Sequence, residues 1–583
     1  MVEGTKKMSQ LQATEFNGRD FIDRENIDAM ANKRILTLDS PMFKLFGISM
    51  LAMFLRIHTI IQEGYWSIDE PSWRILGNLL AQGNLLYKDI AIQLPPMMLI
   101  IYSLFTKLFD PWVSFPVYAF GVIWIMMSTI LIGLSFFILK RQAEGLLAAF
   151  FFAVFSTFWN GGEFLSVNGE LICNGFFAIC LFLTALNFRH EQKGSSAIKV
   201  FMLYMLMGLT SALAASVKAQ AGILLISMVF YLVSRPILFE AFRVNYKKQL
   251  LYPIAALAGG FLIPVIFFML YFYFNNALDY AIHFVLSNQI THASEHTNYS
   301  LLYFVLKLLY KSVIIILTSL PLWIFAVTAM LSVFKDRSKH CAIQQLTMLA
   351  TLWAVLTWIP TSMGNRFFSH YFILFLVPLC FLAATVAVKY LVDKVDAPLT
   401  YQAIRIFSMI FIVLSTMIWF VLNGYSVGKF KEGISTELKV FIESVSEEKD
   451  SIFIWGYSPK WYLDVKRNPS PGFYSLKQLV GAKHVTRGMY LGEDAGAWER
   501  LKTDIWGNPE FTLPSDPKYV SETAWNIFEK GWAANPPRVF VDTSPAGYRD
   551  HVFPVKDYPR LKRLLKGYRG PVEVANTDVY FRD

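Results

Sequence analysis

Long apolar runs separated by short polar ones fill the chain from residue 43 to about 424, after which the pattern changes. The runs fall at 43–61, 116–139, 145–159, 171–188, 199–217, 220–234, 250–273, 312–334, 345–361, 371–388 and 405–423. Most approach the roughly 20 residues that a bilayer-crossing helix needs, which predicts about eleven transmembrane helices. The apolar stretch 95–109 is shorter and predicts a re-entrant or interfacial helix. Residues 64–98 carry Asp69, Glu70, Arg74, Lys88 and Asp89, too many charges for the hydrocarbon region, so this loop belongs at a membrane surface. After Pro71, apolar Trp73, Leu76, Leu79 and Leu80 alternate with Arg74 and Asn78, predicting a helix that lies flat at the interface. Residues 299–311, with Lys307 and Lys311, predict an amphipathic lead-in at the same surface.

Beyond residue 424 the composition turns charged and polar. The short β-rich runs SIFIWGY, RVFVDTS and PVEVANTDVYF are separated by helical stretches, which predicts a small α/β domain. The expected organisation is an arm over 1–42, a membrane domain over 43–424 whose first loop region spans 62–115, and an α/β domain over 425–583.

Composition supports this pattern. With 55% hydrophobic and 16% charged residues and a mean hydropathy of +0.42, the chain is too apolar for an ordinary soluble protein. The net charge of +10 does not point to nucleic acid, because the cations sit in alternate short loops beside apolar spans. They are Lys140 and Arg141; Arg189, Lys193 and Lys199; Arg235, Arg243, Lys247 and Lys248; Lys335, Arg337 and Lys339; and Lys389, Lys394 and Arg405. By the positive-inside rule these loops and the N-terminal arm are cytoplasmic, while loop 64–98 and the α/β domain lie outside. The four cysteines form no CxxC pair and predict neither a disulfide framework nor a zinc site.

The outer loops collect Asp69, Glu70, Arg74, Lys88, Asp89, Glu163, Glu170, Lys218, His283, His292, Glu295, His296, Arg366 and His370. A cation at the edge of two spans, such as Lys218, either pairs with a carboxylate or snorkels to the interface, and Arg366 faces the same choice. Carboxylates and cations on one membrane face suit deprotonation of a nucleophile and departure of an anionic lipid phosphate. A transporter of an anionic or lipid-linked substrate could use the same set.

The loop DEPSWRILGNLLAQGNLLYKDIAIQLPPM resembles the first outer loop of GT-C membrane glycosyltransferases, the family of protein O-mannosyltransferases and lipid A aminoarabinose transferases. It has their acidic pair, helix, GxxxY turn, Asp and PP pair. SVNGELICNGF at Glu170, SVKAQAGILL at Lys218, FNNALDYAIHFVLSN, GNRFFSHYFILFLVPL at Arg366, His370 and Tyr371, and IFIWGYSPKWYLDVKRNP follow in the family's order. The resemblance implies a mostly α polytopic fold and inverting transfer of a sugar from a polyprenyl-phosphate donor drawn from membrane lipid. The acceptor would be a glycan, lipid or protein, at the outer face of a bacterial inner membrane. It implies Asp69 as base with Glu70 as neighbour or alternate. Substrate contacts would come from Arg74, Lys88, Asp89, Glu170, Lys218, Arg366, His370 and Tyr371. Divalent-metal use varies in such enzymes. Glu163, Glu170, His292 and His296 are the candidate ligands, with solvated loop histidines as the other reading. Leu94 before the PP pair departs from the Lys or His of many relatives, which leaves a non-catalytic scaffold as a further alternative. Trp66, Trp73, Trp159 and Tyr371 are candidate sugar platforms; Tyr457 and Tyr462 either meet an acceptor or pack in the core.

Overall fold

The computed structural model of the chain describes residues 40–583 apart from 63, 68, 159–161, 240–245, 288–299, 334–340, 392–398, 425–432, 473–475, 483–495, 507–514, 516, 518–519 and 548–551. Its membrane part is built from α1 (Pro41–Ile61), α2 (Asp69–Ala81), α3 (Pro96–Leu108), α4 (Phe115–Ile138), α5 (Gln142–Phe158), α6 (Gly169–Gln192) and α7 (Ala197–Val217). After these come α8 (Ile223–Leu238), α9 (Tyr246–Phe274), α10 (Leu301–Thr318), α11 (Leu320–Val333), α12 (Ala342–Ser362), α13 (Leu376–Leu391) and α14 (Leu399–Gly424). Among the described residues, 10 helical segments are long and apolar enough to cross a bilayer, and α3, α5 and α11 are shorter apolar helices. The protein is therefore a mostly α, polytopic membrane protein. The 13 residues of α3 reach only about 20 Å at 1.5 Å per residue, too short for a hydrocarbon core of about 30 Å.

Starts and crossings follow from local chemistry. Ser40, Asn168 and Ser300 cap α1, α6 and α10 by accepting from the Phe43, Leu171 and Tyr303 amides. Helices α7 and α9 pack backbone to backbone: a Cβ on Gly208 would lie 2.0 Å from the Leu257 carbonyl oxygen, and one on Gly260 1.9 Å from that of Met205. Only glycine permits that approach.

Three expectations are corrected. The span expected at 312–334 is two helices, broken at Ser319 (φ −131°, ψ 32°); Pro321, which has no N–H to continue the ladder, sits in the first turn of α11. Helix α10 already begins at Leu301, and Lys307, expected on a wet amphipathic face, is fully buried. Similarly, α2 is not a helix with one face in water. Glu70 to Leu79 are all buried, because the C-terminal region covers the side that faces away from the bundle.

That region contains α15 (Thr436–Val445), β1 (Ile452–Trp455), α16 (Pro459–Asp464), α17 (Ala497–Trp506), α18 (Glu522–Ala534), β2 (Val539–Asp542), β3 (Arg569–Val574) and β4 (Thr577–Phe581). The sheet runs β1-β2-β4-β3. The pair β1 and β2 is parallel, Ile452 opposite Val539, and β4 is antiparallel to β2 and β3. Strands β1, at the sheet edge, and β2 are buried at every position. Tyr65 and Ile75 of the first loop share a core cluster with Ile454, Trp461 and Tyr462. Asn78 Nδ2 donates to Asn468 Oδ1 at 2.9 Å, and Lys307 Nζ lies 3.1 Å from Asp504 Oδ2. The α/β unit is thus docked on α2 and α10.

Candidate active site

One end of the helical bundle gathers the C-terminal end of α1, the N-terminus of α6, the C-terminus of α7 and the 3-10 turn Ser369–Phe375. Glu170 stands in the first turn of α6, where the helix dipole favours an anion, and Lys218 ends α7, where it favours a cation. Their side chains pair through Lys218 Nζ and Glu170 Oε1. Lys218 Nζ also lies 4.7 Å from the centroid of the Tyr371 ring, a cation–π contact. His370 stands between two carboxylates, its Nδ1 2.9 Å from Glu163 Oε2 and its Nε2 3.8 Å from Glu170 Oε1. Burial pushes the Glu163 carboxyl up, but His370, with a smaller contribution from Lys218, outweighs it and leaves Glu163 below the usual range. The second oxygen of Glu170 is buried and accepts no hydrogen bond among the described residues.

Asp69 opens α2 on the same end and is half-buried. Its amide donates to Ser67 Oγ at 3.2 Å. Its Oδ1 accepts from the Tyr457 hydroxyl at 3.1 Å. The carboxylate is close enough to Lys218 to favour the lysine's charged form. A half-buried carboxylate therefore stands in electrostatic range of a lysine that is itself paired with Glu170 and lies over the Tyr371 ring.

No protein-family description matches the chain, and no curated protein matches it either. Solved structures do. The archaeal oligosaccharyltransferase AglB from Archaeoglobus fulgidus, in complex with an inhibitory peptide and a dolichol-phosphate, is 14% identical, with 92% of this chain and 74% of that one covered and a TM-score of 0.48. The A. fulgidus oligosaccharyltransferase tethered to an acceptor peptide containing the NVT sequon is 12% identical, with coverage of 93% and 74% and a TM-score of 0.49. ArnT from Cupriavidus metallidurans, in the apo state, is 12% identical, with coverage of 95% and 98% and a TM-score of 0.48.

The residues singled out by sequence divide into two sets. Glu170, Lys218, His370 and Tyr371, with Glu163, are brought together, and Asp69 stands in electrostatic range of Lys218. Glu70 is not with them: it turns inward, is 2% exposed, and accepts from the Trp66 amide (2.9 Å), the Ser67 amide (3.3 Å), the Tyr118 hydroxyl (2.7 Å) and the Val167 amide (2.6 Å). Burial pushes its carboxyl up to about 7, against those donors, which hold it down. Arg74 spends its donors on the Pro111 carbonyl (2.7 Å), the Asp110 carbonyl (3.3 Å) and Tyr65 Oη (3.5 Å). Asp89 accepts from the Leu85 amide at 2.9 Å, tying its own turn, and Lys88 donates to the Asn275 carbonyl at 3.2 Å. These four shape the loop. Arg366 is buried and lies in electrostatic range of Lys307, towards the α10 side.

Trp66 and Trp73, considered as sugar platforms, are buried against His58 and Tyr102. Trp159, His292, Glu295 and His296 lie outside the described residues. Among the described residues no group of three His, Cys, Asp or Glu side chains is placed to hold a metal ion. Three features were missed in the sequence reading. Arg56 donates to the Ser156 and Leu165 carbonyls, both at 2.9 Å, beneath the Glu70 nest; an arginine inside the first apolar span was a signal that a buried partner existed. Lys307 pairs with Asp504, whose Oδ2 also accepts from the Tyr303 hydroxyl at 2.5 Å. Tyr457 reaches Asp69 from the α/β domain, whereas Tyr462 is core, its hydroxyl accepting from the Ile454 amide at 2.8 Å.

Proposed function

We propose that the chain is an integral membrane glycosyltransferase that moves a sugar from a polyprenyl-phosphate donor to an acceptor, with inversion at the anomeric carbon and Asp69 as base. The observation that supports this reading is that the half-buried Asp69 carboxylate lies in electrostatic range of Lys218, which pairs with Glu170 and lies over Tyr371. The motif order of the sequence supports it. In the step, an acceptor hydroxyl or amine gives its proton to Asp69 and its heteroatom bonds to the anomeric carbon. The carbon–oxygen bond to the lipid phosphate breaks, and that electron pair leaves on the phosphate. Lys218, held by Glu170 and lying over Tyr371, offsets the charge that develops there, with Arg366 as a second cation on the α10 side.

The reaction face is assigned to the outer side of a bacterial inner membrane. Lys140, Arg141, Arg189, Lys193, Lys199, Lys389 and Arg405 gather at the opposite end of the bundle, which the positive-inside rule assigns to the cytoplasm. The test is sugar transfer from a synthetic polyprenyl-phosphate sugar by purified protein, parent against Asp69→Asn. The expected loss is roughly 10²- to 10⁴-fold, the usual contribution of a positioned base. An Asn variant as active as the parent removes Asp69 from the chemistry, and a parent that binds donor without turnover favours a scaffold.

A further inference from the structure

We infer that Tyr457 is a positioning residue for Asp69, so that the α/β domain completes the active site rather than merely covering it. The inference rests on Asp69 acting as the base. Tyr457 lies just past the C-terminal end of β1, the edge where the parallel pair of an open α/β sheet presents its loops to ligands. Its position is fixed from both sides. Before it, Gly456 packs so closely on β2's following residue that a Cβ would sit 2.2 Å from Thr543 Oγ1. Thr543 in turn donates to the Trp455 carbonyl through its amide (3.1 Å) and its hydroxyl (3.0 Å). After it, Ser458 and Pro459 open α16, whose Trp461 and Tyr462 share a core with Tyr65 and Ile75 of the first loop.

The hydroxyl thus delivered, on a side chain only 9% exposed, donates to Asp69 Oδ1 at 3.1 Å. A phenol that donates to one carboxylate oxygen leaves the other oriented to take the acceptor's proton. Among the described residues, the other titratable groups around Asp69 are Lys218, on which its charge acts, Tyr102, on which it acts likewise, and the inward-facing Glu70 beside it in the chain. None of these substitutes for the phenol on Oδ1.

The test compares Tyr457→Phe with the parent in full-length protein by transfer kinetics and donor binding, each with and without Asp69→Asn. The expected result is a kcat lowered by roughly ten- to hundredfold with KM and donor affinity unchanged, the scale of one hydrogen bond to a charged group. Added to Asp69→Asn, the same substitution should cost nothing further, because its effect passes through the carboxylate. Tyr462→Phe, which alters a core hydroxyl on the helix that follows, is the folding control and should leave kcat in place. A Tyr457→Phe protein with the parent's kcat, or one whose loss adds in full to that of Asp69→Asn, overturns the inference. So does a loss reproduced by Tyr462→Phe. The coupling between the two substitutions reports the positioning role, whereas an Asp69→Asn protein as active as the parent reports failure of Asp69 as base.

Discussion

Glu70→Gln separates a structural acid from a catalytic one. In the parent, both carboxylate oxygens face donors only: three backbone amides and the Tyr118 hydroxyl. A glutamine in either orientation turns its NH2 towards at least one N–H, leaving two buried donors without acceptors. Each unmet donor costs roughly 1–3 kcal/mol, so the variant should be destabilised by about 2–5 kcal/mol at pH 8. The pH dependence follows from the raised carboxyl. Glu70 is displaced from an ordinary 4.5 to about 7, so between those values the folded protein holds a proton that the unfolded chain has released. Stability from this group is then fully present below about pH 4.5 and is lost as pH rises to about 7. The loss is about 3 kcal/mol at roughly 1.4 kcal/mol per unit. The glutamine variant has no such proton, so its deficit against the parent should widen on acidification across that window. The assay is thermal unfolding in detergent, followed by tryptophan fluorescence at pH 5, 6, 7 and 8. A variant that melts with the parent at every pH yet has lost sugar transfer would refute the structural reading and return Glu70 to the chemistry.

Three further outcomes are expected. Lys307→Met removes the cation paired with the buried Asp504, which keeps the Tyr303 hydroxyl, and should destabilise docking of the α/β domain by about 3 kcal/mol, while Lys307→Met with Asp504→Leu should recover most of that; limited proteolysis of the α/β domain and thermal unfolding check both. Gly260→Val drives a side chain into the Met205 carbonyl and should cost about 1–3 kcal/mol or more, seen as a lower unfolding temperature with the residual folded fraction still active. Asp69→Asn should cost no more than about 1 kcal/mol of stability, because the half-exposed side chain keeps an oxygen to accept from Tyr457 and loses only its charge near Lys218, so that lost transfer in that variant reads as chemistry.

The one-dimensional pattern determined the membrane architecture because apolar length is read directly against bilayer thickness. It also determined which loops share a face, because cations alternate with the spans, and it put Asp69, Glu170, Lys218 and His370 on one side. The chain statistics could not decide direction. Asp69 and Glu70 are adjacent, and one faces the cluster while the other faces the bundle, because successive helical positions are about 100° apart and only the neighbours set which side is core. Lys307 read as wet because an amphipathic lead-in and a lysine buried against a distant aspartate have the same local sequence. Asp504 lies nearly two hundred residues away, and no local period encodes that pairing. Tyr457 reached the site for the same reason: the Gly456 turn is legible in the chain, but the surface that β1 delivers it to exists only once the α/β domain is docked on α2.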